Sequence, residues 1–263
     1  MDMKQQPKAV LGVAVCVVVL VTAGLYIFFN QEEPQPEQTV SAPPAPPARV
    51  PPPPPPPPPE PTSVELPPLG GSDPFVRELV AMLSAHPDFL AWLATDELIR
   101  TFVVSVENVA NGNNPSRHVA FMKPDAGFQT EGSDSDLMLA SASYERYDGL
   151  TRVISSLDIA GTASLYQQLL PLLDDAYAEL GVPDATFSDT FARAVVHVLS
   201  TPIVNNRPAL VTRTPFYEYR DPELESLTAA QKQLLGVGPD NLRIIRRTIR
   251  DIATEIGFAN LPE

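Results

Sequence analysis

The sequence is poor in the residues that most often carry chemistry. Of its 263 residues one is cysteine, Cys16, and three are histidine: His86, His118 and His197. A single cysteine excludes an intrachain disulfide framework, and its place in an apolar run leaves no cysteine for a zinc site after residue 30. The chain also lacks HExxH, a histidine and carboxylate pairing at ligand spacing, GxSxG, SxxK and a glycine-rich phosphate loop. Zinc hydrolases, serine hydrolases and nucleotide enzymes are thereby left without metal ligands, nucleophile or cradle. No metal and no cofactor is expected. Positive charge is scarce too, with 18 Lys and Arg against 32 Asp and Glu, and 15 basic against 26 acidic residues over positions 69–263. A generic nucleic-acid or anionic-membrane surface is disfavoured on that balance.

The chain does have three unlike segments. Residues 9–29 form an uncharged, Val- and Leu-rich run of 21 residues. At about 1.5 Å per residue a helix of that length crosses a hydrocarbon core of about 30 Å. Lys4 and Lys8 precede the run while Glu32 and Glu33 follow it, so the positive-inside rule predicts a cytoplasmic stub at 1–8 and export of everything after residue 30. The run exceeds the apolar core of a cleaved signal peptide, and an uncleaved signal anchor is the expectation. Residues 30–68 follow as a linker: 18 of the 31 prolines lie between Pro34 and Pro68, nine of them consecutive from Pro51 to Pro59. Proline fixes φ and removes the backbone donor, so a polyproline II spacer is predicted rather than a packed core. Recognition of that spacer by a proline-binding domain is the less favoured alternative.

Residues 69–263 read as a single, mainly helical domain with a minor β element. Asp73 and Pro74 have the character of a helix start. A short helix carrying Phe89 and Trp92 is expected after His86–Pro87, and Thr95 is expected to cap a longer helix bearing Leu98, Phe102, Val106 and Val109. Residues 113–136 are rich in Asn, Gly, Pro, Ser and Asp and predict loop with weak strand, with helix resuming around Ser141. Asp158 is placed to cap a helix reaching Leu180 with a kink at Pro171, and a further helix spans 188–199. Two strands are expected at 209–212 and 216–219. Thr228 with Gln231 forms a capping box, and a last helix starts at Asp240 and ends at Gly257.

Three groups of residues are candidate sites. Arg117 and His118 stand together in a polar loop, where an anion-binding or acid–base role competes with simple solvation. Tyr144, Glu145, Arg146, Tyr147 and Asp148 place two phenols, a guanidinium and two carboxylates within one or two helical turns, a composition favoured at binding hot spots; the plainer expectation is packed rings, with Arg146 and Asp148 in salt bridges. Gly236 and Gly238, followed by Arg243, Arg246, Arg247 and Arg250, are similar to a helix-hairpin-helix element whose amides and arginines neutralise phosphates. That DNA-binding alternative is opposed by the acidic balance. His86 and His197 read as a helix-boundary residue and a hydrogen-bonded core or boundary histidine.

Longer stretches carry a family resemblance. Leu66–Pro67–Pro68–Leu69, Phe75–Val76–Arg77–Glu78–Leu79, Trp92–Leu93–Ala94–Thr95, Phe102–Val103–Val104, Pro115 to His118, Tyr144 with Arg146–Tyr147–Asp148, Ser156–Leu157–Asp158, Ala176–Tyr177, Gln231–Lys232–Gln233–Leu234–Leu235 and Gly238–Pro239–Asp240–Asn241 together resemble domain-of-unknown-function family number 3014, over about Leu66 to Ile256. The resemblance implies a bacterial inner-membrane protein with its domain in the periplasm, and brings no assigned reaction, ligand or catalytic residue. The resulting expectation is a membrane-anchored scaffold or adaptor for envelope proteins or glycan. Membrane-tethered DNA binding, or an unfamiliar enzyme using Arg117, His118, Arg146 and Asp148, are the alternatives.

Overall fold

The computed structural model describes residues 66–262, apart from 134, 135, 214 and 215. The anchor expected at 9–29 and nearly all of the linker lie outside the described residues. Among the described residues no helix is long and apolar enough to cross a membrane.

The described chain is mainly helical, as its periodicity predicts. After a 3-10 turn at Leu69–Gly71 come α1 (Asp73–Ala81), α2 (Pro87–Trp92), α3 (Leu98–Ala110), α4 (Ser141–Glu145), α5 (Asp148–Ser155), α6 (Ile159–Glu179), α7 (Phe187–Leu199), α8 (Pro222–Glu225), α9 (Ala229–Leu235) and α10 (Pro239–Ile256). The β element consists of β1 (Thr130–Glu131) with β2 (Met138–Leu139), and β3 (Leu210–Arg213) with β4 (Phe216–Tyr219), each pair antiparallel. A bridge between Met138 and Ala209, and the hydrogen bond from Leu210 N to Leu137 O at 2.8 Å, join the two hairpins.

Helices α3, α6, α7 and α10 form the centre, with α3 packed most extensively on α7 and α10 on α6. Phe102, Phe187 and Phe191 interlock there with ring centroids 5.3–6.3 Å apart. Phe187, Phe191 and Tyr166 are fully buried. Burial of a phenol requires a partner, and Tyr166 Oη lies 3.0 Å from Ser188 Oγ while Tyr177 Oη lies 2.7 Å from Thr190 Oγ1. Desolvation pushes the Tyr166 phenol up to about 12. Helix α6 continues as one element through Pro171, which sits on its exposed side. The donor that proline lacks is therefore missing where water can satisfy the freed carbonyl.

Two expected caps are rearranged. Asp73 does not cap α1; its carboxylate accepts from Glu97 N at 2.7 Å and Leu98 N at 2.9 Å, so it closes the start of α3 from 25 residues away. Thr95 does not cap α3, whose N-cap is Glu97 in a left-handed conformation. A free N-terminal amide group needs an acceptor from any source, and packing of α1 on α3 puts the Asp73 carboxylate there first. Other signals operate as read: Thr228 and Gln231 make the capping box, His86 Nδ1 accepts from Asp88 N at 3.2 Å at the start of α2, and Gly257 ends α10 at φ 110°. Half-buried His197 bonds Thr228 Oγ1 at 2.7 Å.

Candidate ligand cleft and its aromatic rim

Where α3 ends, the chain crosses to the start of α9. Gly112 adopts φ 74°, its carbonyl accepts from Ala230 N at 3.0 Å, and a Cβ there would lie 2.9 Å from Thr228. Asn114 then caps a 3-10 turn at Pro115–Arg117 by accepting from Ser116 N at 2.9 Å. A second 3-10 turn, Ala120–Met122, follows, with Phe121 inserted into the core. This irregular strap, α5, α9 and α10 enclose a cleft of about 380 Å³.

The cleft floor is aliphatic: Val109, Ile154, Val198, Val237, Ile245 and Ile249. Val119, Ala120 and Met122 form its lip. Its polar lining is largely engaged already. Asn114 Nδ2 donates to Gln233 Oε1 at 3.2 Å, and Gln233 Nε2 donates to Tyr147 Oη at 3.0 Å. Among the described residues the charged ones lining the cleft are cations, Lys123 and Arg146. Among the described residues no carboxylate pairs with either.

Arg146 links the cleft to an exposed aromatic rim. It stands between α4 and α5, donates from Nε to Ser143 O at 2.9 Å, and holds its guanidinium 4.7 Å from the Tyr147 ring centre and 5.7 Å from that of Phe128. Phe128 in turn meets Tyr217 of β4 at 5.4 Å with 31° between the rings. Phe128 is 45% exposed, Tyr217 46% and Phe216 72%. Large aromatic rings this accessible, held in sequence by a cation, offer a flat contact surface.

The structure separates the residues selected from sequence. Arg146 and Tyr147 belong to the cleft. Arg117 and His118 are exposed on the same strap, whose Ser116 and Val119 line the cleft. Tyr144 and Asp148 face the turn before α10: Asn241 Nδ2 donates to Asp148 Oδ1 at 2.9 Å, to Tyr144 O at 3.2 Å and to Val237 O at 3.0 Å. The expected salt bridges of Arg146 and Asp148 are thus replaced by cation–π contacts for Arg146 and a hydrogen bond from the Asn241 side-chain amide for Asp148, with a helix break at 146–147 between the two residues.

The two clusters read independently from sequence therefore adjoin. Gly238, at φ 87°, is buried, and a Cβ there would sit 2.6 Å from Tyr144 Cγ, so the glycine admits a ring. Gly236 is in ordinary helical geometry. Arg243 pairs with Asp240 at 2.6 Å and bonds Asn205, Arg246 donates to Thr201 O at 3.0 Å, and Arg250 donates to Pro262 O. Burial and the neighbouring Arg250 hold the Arg246 guanidinium below its usual value. Arg247 is exposed.

Sequence reading did not select Lys123, Phe128, Gln233 or Tyr217. A phenylalanine isolated in the polar stretch Gly127–Phe128–Gln129 was the available signal, since no helical or strand period buries it. Among the described residues no group of His, Cys, Asp and Glu is arranged to hold a metal ion.

Residues 98–253, which carry the cleft, match the family described as protein of unknown function (DUF3014). That match covers more than half of the chain, and the chain belongs to this family. No curated protein and no solved structure matches it.

Proposed function

We propose that this member of the DUF3014 family is a membrane-tethered binding domain, a scaffold or adaptor for envelope proteins or glycan. It would be held in the bacterial periplasm by the apolar anchor at 9–29 and the proline-rich spacer at 30–68. The observation that carries the reading is the contact between the exposed rings of Tyr217 and Phe128, extended by the half-buried guanidinium of Arg146. Tyrosine and arginine are the residues most enriched where partners bind, and an aromatic face serves a sugar ring or a peptide side chain equally. The anchor and spacer support the tether by their length and composition. Catalysis is less well supported: the cleft lining supplies an amine, a guanidinium, a phenol, amides and the Ser116 hydroxyl, and among the described lining residues no carboxylate or imidazole stands beside that hydroxyl to take its proton.

The test is site-specific photo-crosslinking of the full-length protein in intact cells. A benzophenone side chain at Phe128 or Tyr217 is expected to capture the same small set of envelope proteins or glycan strands, while one at exposed Asp184 is not. Identical capture profiles at all three positions would refute the adaptor reading.

A further inference from the structure

We infer that the cleft beneath the aromatic rim binds a single-chain anionic amphiphile, an aliphatic tail carrying a carboxylate as in a free fatty acid. The inference goes beyond the adaptor reading and does not depend on it.

The tail follows from the floor. Val198, Ile245 and Ile249 are 2–4% exposed and belong to the hydrophobic core, yet they also line an open space of about 380 Å³. Protein interiors are close-packed, and aliphatic side chains facing a void forfeit their dispersion contacts. Water is a poor occupant, because it needs two or more polar partners and the floor supplies none. The nearest polar side chains, Asn114, Gln233 and Tyr147, spend hydrogen bonds on one another. An aliphatic chain restores the missing contacts, and the volume lies at the small end of the range for ligand pockets, which suits one chain and not two.

The head group follows from charge. Residues 69–263 carry 26 acidic and 15 basic residues, yet both charged residues lining the cleft are cations. Lys123 is exposed at the lip, and Arg146 is half-buried where its Nε is engaged by Ser143 O, leaving its terminal nitrogens as further donors toward an anion. A carboxylate at the mouth, between Lys123 and Arg146, with its tail running over Ile245 and Ile249, matches that arrangement.

The experiment uses the full-length protein in membranes, exposed to dodecanoic acid bearing a diazirine near its terminal carbon, with adducts mapped by peptide mass spectrometry. Adducts are expected within 115–124, 146–154 or 230–249. Dodecanoate should compete at least tenfold better than dodecanol. Ala120→Trp, which fills the lip, should abolish adducts in these peptides while labelling of the apolar run at 9–29 persists. Lys123→Gln with Arg146→Gln should erase the preference for dodecanoate, and should Arg146→Gln prevent folding, Lys123→Gln alone, at an exposed side chain, reads the same preference. Adducts confined to residues before 66, equal competition by dodecanol, or insensitivity to Ala120→Trp would each overturn the assignment. So would stronger cleft labelling by a diazirine-bearing diacyl phosphatidylglycerol. Ala120→Trp and Lys123→Gln leave Phe128, Tyr217 and Arg146 in place, so capture at Phe128 and Tyr217 in those two variants tests the adaptor reading separately.

Discussion

Aromatic residues occur in two settings in this domain, and they are used in opposite ways. Between α3, α6 and α7 the rings of Phe102, Phe187, Phe191, Tyr166 and Tyr177 are buried, in mutual contact, and their hydroxyls are satisfied by Ser188 and Thr190. At the hairpin end Phe128, Phe216 and Tyr217 remain exposed, and only Phe128 and Tyr217 share a contact, extended by a cation. The hydrophobic effect acts on both sets alike, so the difference lies in what covers them. At the centre a second helix covers each ring. The hairpins are short, and β1 and β2 are two residues each, so among the described residues no layer lies above the exposed set. The first set holds the fold together, and the second is left accessible by the described residues.

The sharpest test of that contrast is Phe187→Ala. Phe187 is fully buried and touches Phe102, Phe191 and Tyr177, so its truncation removes transfer energy and leaves a cavity. A loss of about 3–5 kcal/mol in urea unfolding is expected. A loss below about 1 kcal/mol would mean that the centre repacks freely and is not the rigid half of the molecule.

Next in size is the junction between the two regions, at Gly238. Gly238→Ala meets the Tyr144 ring and strains a backbone at φ 87°, whereas Gly257→Ala, at φ 110°, has nothing within 4 Å. The first is expected to cost about 1–3 kcal/mol by strain and overpacking together. The second isolates the backbone term, and the difference between them measures how firmly Tyr144 fixes the turn before α10. Equal losses would show that the ring yields.

Asp73→Ala probes the caps, with an expected cost of about 1 kcal/mol in the same measurement. It also bears on what the sequence could reveal. Periods of apolar residues placed α3, α6, α7 and α10 correctly, because each helix buries one continuous face and that face is written locally. The Thr228–Gln231 box was legible for the same reason. Asp73 was not, since its acceptor role toward Glu97 and Leu98 exists only once α1 packs on α3. The cleft was half legible. Arg146 and Tyr147 stood out by composition, but Lys123 of the strap and Gln233 of α9 come to the cleft from segments more than 100 residues apart, and no local spacing encodes that meeting. Gly238 stood out in the sequence as a hairpin glycine, with phosphate approach as the less favoured alternative, and the close approach seen in the fold is to Tyr144.

A smaller effect is expected from His197. Burial pushes its imidazole below the ordinary value of 6.5, and Nε2 bonds Thr228 Oγ1 at the start of α9. The folded state therefore holds the proton more weakly than the unfolded chain. Its contribution to stability is complete above 6.5 and is lost as pH falls through the lower folded value. Between about pH 7.5 and about pH 5.5 the urea midpoint of the natural protein should fall more than that of His197→Gln. Parallel curves would remove His197 as a source of pH dependence. Since α9 lines the cleft, a true effect would place pH sensitivity on the cleft side of the molecule and leave the aromatic centre untouched.

The smallest stability change, and the one that most nearly decides what the exposed rings are for, belongs to Phe128→Ala and Tyr217→Ala. Each ring is about half exposed, so each substitution is expected to alter unfolding by no more than about 0.5 kcal/mol. If these rings are recognition surface, cellular capture through benzophenone at the neighbouring Phe216 should nevertheless fall sharply in the double variant. If they were instead unfinished core, stability and capture would fall together, because a partner would be lost only through loss of the fold. A near-neutral change in stability with lost capture separates the two uses of aromatic residues, since truncation of Phe187 removes capture only by unfolding the domain that presents the surface.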